Sequence, residues 1–192
     1  MNDDPIFQDA GHALHVSFLI HSLPATQASP TAIVIDQLVK QNHVWDDLPP
    51  PTARRVNFRG LSPLEVRAQC AQVVAMVEHH LHPAERDAVK AIYGRQVIKA
   101  TGVRGIAAYC EPLLGHAPDC CLYLAWHVFM EPQQRKGVTL GEIAEKFGAT
   151  NEAMQYGARL LRKSGHTFHA RAVSALSERF ERGGLIPESS MA

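Results

Sequence analysis

Apolar positions at helical spacing dominate this chain, and Ser-Pro or His-Pro pairs mark where several of the helices begin. Leu14, Val16, Phe18, Leu19 and Leu23 predict a helix over His12 to Leu23. Ser29-Pro30 opens another, reaching about Asn42, with Ile33, Val34, Ile35 and Leu38 on its apolar face. Between Trp45 and Gly60 three successive prolines and mixed charge forbid a regular helix, so this is a linker in which Val56 and Phe58 can still pack. Ser62-Pro63-Leu64-Glu65 combines an N-cap, a proline at the first helical position and a capping-box glutamate, and predicts a helix to about His80. His82-Pro83-Ala84-Glu85 repeats that logic for a short helix ending at Tyr93-Gly94. A further helix follows from Gln96 to Leu114, with a break at Thr101-Gly102. Pro118 to Met130 is apolar nearly all round, the mark of a buried central helix.

Glu131-Pro132 to Gly137 closes that helix. The next segment, TLGEIAEKFGATNEAMQYGARLLRK from Thr139 to Lys163, has the spacing of a helix-turn-helix. Ile143, Phe147, Met154, Ala158 and Leu161 are apolar where two steeply crossed helices must touch. Ala144 is small where the second helix passes closest, and Gly148 sits where the turn requires a positive φ. Thr139 with Glu142 forms a capping box, while Thr150 caps the second helix with Glu152 in its first turn. In such a pair the second helix enters the major groove of DNA. His166 to Arg182 predicts one more helix, with Phe168, Val173, Leu176 and Phe180 spaced to pack back on the pair, and a frayed tail from Gly183. The fold expected is all-α. It divides into an acidic N-terminal helical segment (1–44), a proline-rich linker (45–60), a central helical domain (61–134), a helix-turn-helix region (135–182) and a flexible tail (183–192).

From the capping Thr139 through Gly148 to Arg159, Arg162 and Lys163, the motif resembles the promoter-reading C-terminal region of bacterial sigma factors. The stretch LHPAERDAVKAIYG is similar to the helix that precedes the reading hairpin in sigma-like domains, although here Arg95 to Gly137 separates the two. In plan, the whole chain is similar to the Q-type late-gene antiterminators of bacteriophages and prophages. That resemblance implies a DNA site near a late promoter and contact with RNA polymerase. The chain departs from the sigma pattern at the start of the second helix, where Asn151, Glu152, Gln155 and Tyr156 replace several arginines. Asn and Gln side chains can each bond adenine bidentately.

Charge changes the picture by its distribution. The 192 residues are formally neutral, which gives no global attraction to nucleic acid. Yet residues 135 to 182 hold nine Lys or Arg against five Glu, while residues 1 to 50 hold six Asp and one Lys. The cation-rich end coincides with the motif, the sense that phosphate contacts require. No stretch approaches the roughly 20 apolar residues of a membrane span and no basic start precedes a long apolar run, so a cytoplasmic protein without membrane contact is expected. The four cysteines form no spaced disulfide framework.

Other constellations carry less chemistry. Cys110, His116, Cys120, Cys121 and His127 fall within eighteen residues, but no CxxC is present and Cys120, Cys121 and His127 lie among apolar neighbours, so no metal and no cofactor are expected. His79, His80 and His82 suit a helix end, where imidazole meets the negative end of the dipole. No nucleophile elbow, phosphate-binding glycine loop or zincin motif is found, so no enzyme is expected. Arg54, Arg55 and Arg59 could form an arm into the minor groove, although surface ion pairs with Asp46 and Asp47 fit them better.

These readings favour a transcription regulator bound to double-stranded DNA, in which Thr150, Asn151, Gln155 and Tyr156 face base edges and Arg159, Arg162 and Lys163 hold phosphates. Glu152, Arg54 and Arg55 complete the expected contact set. RNA polymerase and a second copy of the chain are the further partners expected. Two alternatives stay open: a small terminase subunit of DNA packaging, and an adaptor whose helix pair docks protein.

Overall fold

The computed structural model describes residues 5–23, 58 and 61–188, and every regular element among them is helical. The helix expected from Ser29, and the linker with Arg54, Arg55 and Arg59, lie outside the described residues. The helices are α1 (Ala10–Ser22), α2 (Pro63–His80), α3 (Pro83–Tyr93), α4 (Gln96–Leu114), α5 (Pro118–Phe129), α6 (Leu140–Phe147) and α7 (Asn151–Arg182), with a single 3-10 turn at Pro132–Gln134.

Local chemistry accounts for most of the starts. Asp9 caps α1 by accepting the His12 N–H at 2.8 Å. At α2, Ser62 accepts from the Glu65 N–H while the Glu65 carboxylate accepts from the Ser62 N–H at 2.6 Å. His82 does the same work at α3: its Nδ1 accepts from the Ala84 N–H and Glu85 reciprocates on the His82 N–H. Each arrangement satisfies backbone donors that the first helical turn leaves without partners.

Two compact units result. The first combines Met1–Leu81 with Val173–Ala192. Its helix α1 is buried along most of its length, from Ala10 through Leu14, Val16 and Phe18 to Ile20. The Arg67 guanidinium of α2 donates to the Leu23 carbonyl at the end of α1, at 2.9 Å. Phe7 meets the rings of His12 and Phe58 edge-on, and its N–H donates to the Leu185 carbonyl at 2.9 Å. Within the tail expected to fray, Leu185 and Ile186 are buried, and Gly184 at φ 66° turns the chain so that the Leu185 N–H reaches the Phe180 carbonyl. Of the residues expected to pack back on the helix pair, Val173, Leu176 and Phe180 belong to this unit, whereas Phe168 packs against the core of the helix pair.

The second unit is His82–Ala172. Its core runs without interruption from Ala88 and Ala91 of α3, through Val103, Ile106 and Cys110 of α4 and Leu124, Ala125 and Phe129 of α5, to Ile143, Met154, Ala158 and Leu161. A boundary at residues 134 and 135 is thus absent: α5 and the helix pair share one core, and α2 belongs with the other unit.

Gly102, expected to interrupt a helix, instead lets helices approach, as does Gly165. A Cβ on Gly102 would lie 2.4 Å from the Ala91 nitrogen and 2.6 Å from the Asp87 carbonyl oxygen, so α4 crosses α3 nearly backbone to backbone and continues unbroken. A Cβ on Gly165 would lie 2.7 Å from the Phe129 ring. The two helices expected around Ser164-Gly165 are therefore one, α7, of 32 residues. Within this unit the middle of α7 is held to α3 by the Tyr93 hydroxyl and His169 Nε2 at 2.8 Å and by Arg171 with Glu85 at 3.0 Å.

Candidate nucleic-acid interface

The site is built on α5, α6 and the first four turns of α7. Thr139 and Glu142 form the expected capping box at α6, the carboxylate accepting from the Thr139 N–H at 2.9 Å and also from its hydroxyl. With its other oxygen Glu142 accepts the Gly137 N–H at 3.2 Å. These bonds hold its carboxyl below the usual range, the Thr139 hydroxyl being the largest cause. α6 stops because Gly148 adopts φ 63°, ψ 31°, a left-handed conformation costing other residues about 1 kcal/mol or more. The Ala149 N–H then donates to the Ala144 carbonyl at 2.9 Å, satisfying the end of the helix. A Cβ on Gly148 would touch nothing, so the backbone angle alone selects glycine there.

Across this turn Thr150 caps α7, its hydroxyl oxygen accepting from the Ala153 N–H at 3.2 Å. Ile143 and Ala144 of α6 meet Met154, Ala158 and Leu161 of α7 over Leu124, Ala125 and Val128 of α5. Burying a side chain of this size contributes about 1.5–3 kcal/mol, enough to lock the pair to its supporting helix. A Cβ on Gly157 would lie 3.0 Å from Leu124, so α7 lies close on α5 at this point too.

Because one face of α7 is committed to that core, the opposite face is exposed. At 3.6 residues per turn Asn151, Gln155, Arg159 and Arg162 form one stripe and Glu152, Tyr156 and Lys163 the next. All seven side chains are exposed, as is Thr150, and Tyr156 is 68% exposed, unusual for an aromatic with a core next to it. Among the described residues no carboxylate pairs with Arg159, Arg162 or Lys163.

One residue was missing from the set read from sequence. Arg135, in the segment before α6, donates from Nε to the Met130 carbonyl at 3.2 Å, which fixes its guanidinium. Burial, and then the charge of Arg162, push its pKa below the usual guanidinium value, so Arg135 and Arg162 lie within electrostatic reach of each other. His127 lies close by as a neutral imidazole. Its Nδ1 lies 2.9 Å from the Val138 carbonyl, and burial is the first cause holding it below the ordinary imidazole range, with Arg135 and Arg162 adding to the effect. In the sequence Arg135 contributed only to a charge count. Its neighbour Arg162 lies 27 positions away and is brought near by the turn at Gly148.

The cysteines and histidines between 110 and 127 do not converge. Cys120 meets the Met154 sulfur at 3.8 Å and Cys121 the His116 carbonyl at 3.5 Å, while His127 is engaged with Val138. Among the described residues no three His, Cys, Asp or Glu side chains form a metal-binding group. Nor is any described helix long and apolar enough to cross a membrane. No protein-family model matches the chain, and no curated protein matches it.

Proposed function

We propose that this protein is a sequence-specific double-stranded DNA-binding regulator that reads DNA with the first turns of α7. The observation that carries this reading is the two-sided construction of that helix. One face is pinned through Met154, Ala158 and Leu161, and the other presents Asn151, Gln155, Tyr156 and Arg159 to solvent beside the cations Arg162 and Lys163. A rigid helix end with amide side chains at its start and cations further along suits base readout flanked by phosphate contacts. Thr150 keeps its hydroxyl hydrogen free, so capping leaves it able to donate to a phosphate or a base. Arg135, within electrostatic reach of Arg162, adds a phosphate contact from outside the helix. Contact with RNA polymerase at a phage late promoter, as implied by the sigma-like and antiterminator-like resemblance, is the finer form of this proposal.

The test is selection of bound sequences from a random duplex pool, followed by titration of the selected site. Asn151→Ala and Gln155→Ala are expected to relax sequence preference by about 1–3 kcal/mol for each base no longer bonded. Arg162→Ala is expected to weaken all sequences alike and to reduce the salt dependence by roughly one phosphate's worth. Absence of duplex binding even at low salt overturns the reading and leaves the helix pair as a protein-docking unit.

A further inference from the structure

We propose that the outer face of α5 is a docking groove for an acidic amphipathic peptide segment of a partner protein, separate from the DNA-reading face. α5 is apolar on both sides: one side is buried, and on the other Leu122, Tyr123 and Trp126 pack partly against the core and leave the rest of their surface open. Cys120, Cys121, Leu124, Ala125 and Val128 fill the core. Leu122, Trp126 and Met130 recur four apart on the other side with Tyr123 beside them, all half-buried. An ordinary surface helix carries polar residues there. Here those four side chains form the floor of an open groove of about 430 Å³, walled by Lys136, Gly137 and Val138.

The wall is fixed in advance. His127 bonds the Val138 carbonyl from below, and the Gly137 N–H donates to Glu142. A preformed groove avoids part of the ordering cost that binding otherwise carries. Trp, Tyr and Met are the side chains over-represented at protein interfaces, and Met adapts to partners of varied shape. None of the lining residues comes from α7, so occupation of the groove leaves the reading stripe uncovered.

Charge selects the occupant. The Lys146 ammonium stands 3.9 Å over the Tyr123 ring and bonds its hydroxyl, and Lys136 lines the wall. The one acid shown to engage this wall, Glu142, has its oxygens occupied by Thr139 and Gly137, although it also faces Lys136. An apolar floor with a cationic rim complements a helix with aliphatic or aromatic anchors three and four residues apart and Asp or Glu beside them.

The proposal does not depend on the DNA reading and is tested apart from it. Peptides selected from a displayed random library against the full chain are expected to combine such anchors with acidic residues. In a Trp45→Phe background, where Trp126 is the remaining tryptophan, a synthetic copy of a selected peptide is expected to shift its fluorescence. Trp126→Ala should weaken binding about tenfold or more, the loss usual for a buried aromatic anchor. Lys136→Gln, which leaves the core untouched, should weaken it several-fold while circular dichroism is retained. The proposal fails if selection yields no peptides or basic ones, or if both variants bind as the parent does. It also fails if the chain self-associates through this groove, shown by a mass in sedimentation that Trp126→Ala halves, since the occupant is then a second copy.

Discussion

Replacing Gly102 with alanine sets two effects of opposite sign against each other. In a helix interior the substitution favours folding by about 1 kcal/mol, because alanine loses less backbone entropy. Against this, the new methyl would lie 2.4 Å from the Ala91 nitrogen and 2.6 Å from both the Asp87 oxygen and the Lys90 Cβ. Two of these are backbone atoms of α3 and cannot rotate away. Restoring ordinary contact distances moves α4 off α3 by roughly 1 Å, which forfeits a quarter to a half of the dispersion attraction along the seam. The seam includes Ala88, Ala91, Val103 and Ile106, all fully buried. Overpacking of this kind costs about 1–3 kcal/mol and more where backbone must shift, so a net loss of about 2 kcal/mol is expected. Gly141→Ala is the matched control. It lies in α6 with nothing nearer than the Asn151 side chain at 4.0 Å, so only the favourable effect remains. Urea unfolding followed by far-ultraviolet circular dichroism should lower the midpoint for the first and hold or raise it for the second. A Gly102→Ala protein more stable than the parent, as Gly141→Ala is expected to be, would refute the reasoning, since the propensity gain would then have met no steric opposition.

Protonation gives a second test. Burial holds both His127 and His169 below the ordinary imidazole range, so both resist protonation in the folded chain. Their contribution to stability is complete above about pH 6.5 and declines as pH falls below it toward their folded values, because the unfolded chain then binds the extra protons. His169→Gln should flatten that decline in thermal melts recorded from pH 7.5 to 5, and an unchanged slope counts against the assignment. The thiols give a third. All four cysteines are buried, and burial raises Cys70 and Cys121 to about 11. Native protein should therefore react with a thiol-specific dye far more slowly than denatured protein at pH 8; prompt native labelling of any of them would contradict the packing described.

The helix starts were legible in the sequence because a cap is a local event. Ser62 with Glu65, Thr139 with Glu142 and Thr150 each act within three residues, and the structure places their bonds where the spacing put them. The turn at Gly148 was legible for the same reason. What escaped was every feature that depends on a distant neighbour. Gly102 read as a break, because a glycine in a string of letters does not say whether it serves φ or close approach. Leu176 and Phe180 marked an apolar face correctly, but spacing does not say which core receives it. In the candidate site the exposed stripe of α7 followed from periodicity, whereas Arg135 required the fold to bring it within electrostatic reach of Arg162.

The undivided course of α7 limits how such a protein can be rebuilt. The 32 residues of the helix begin with the exposed stripe of Asn151, Gln155 and Arg159 and include Leu176 and Phe180 near the end. The helix contributes residues to both units, and the first is made of two separated stretches of chain. A recombination event at a single junction cannot transplant either unit whole. Cutting after Lys163 removes the Tyr93 and Glu85 anchor points of the second, and cutting after Leu81 leaves the first without its final helix. Substitutions that leave this construction intact are consequently confined to positions such as Asn151, Gln155, Tyr156 and Arg159, where the side chains face solvent and the core does not depend on them.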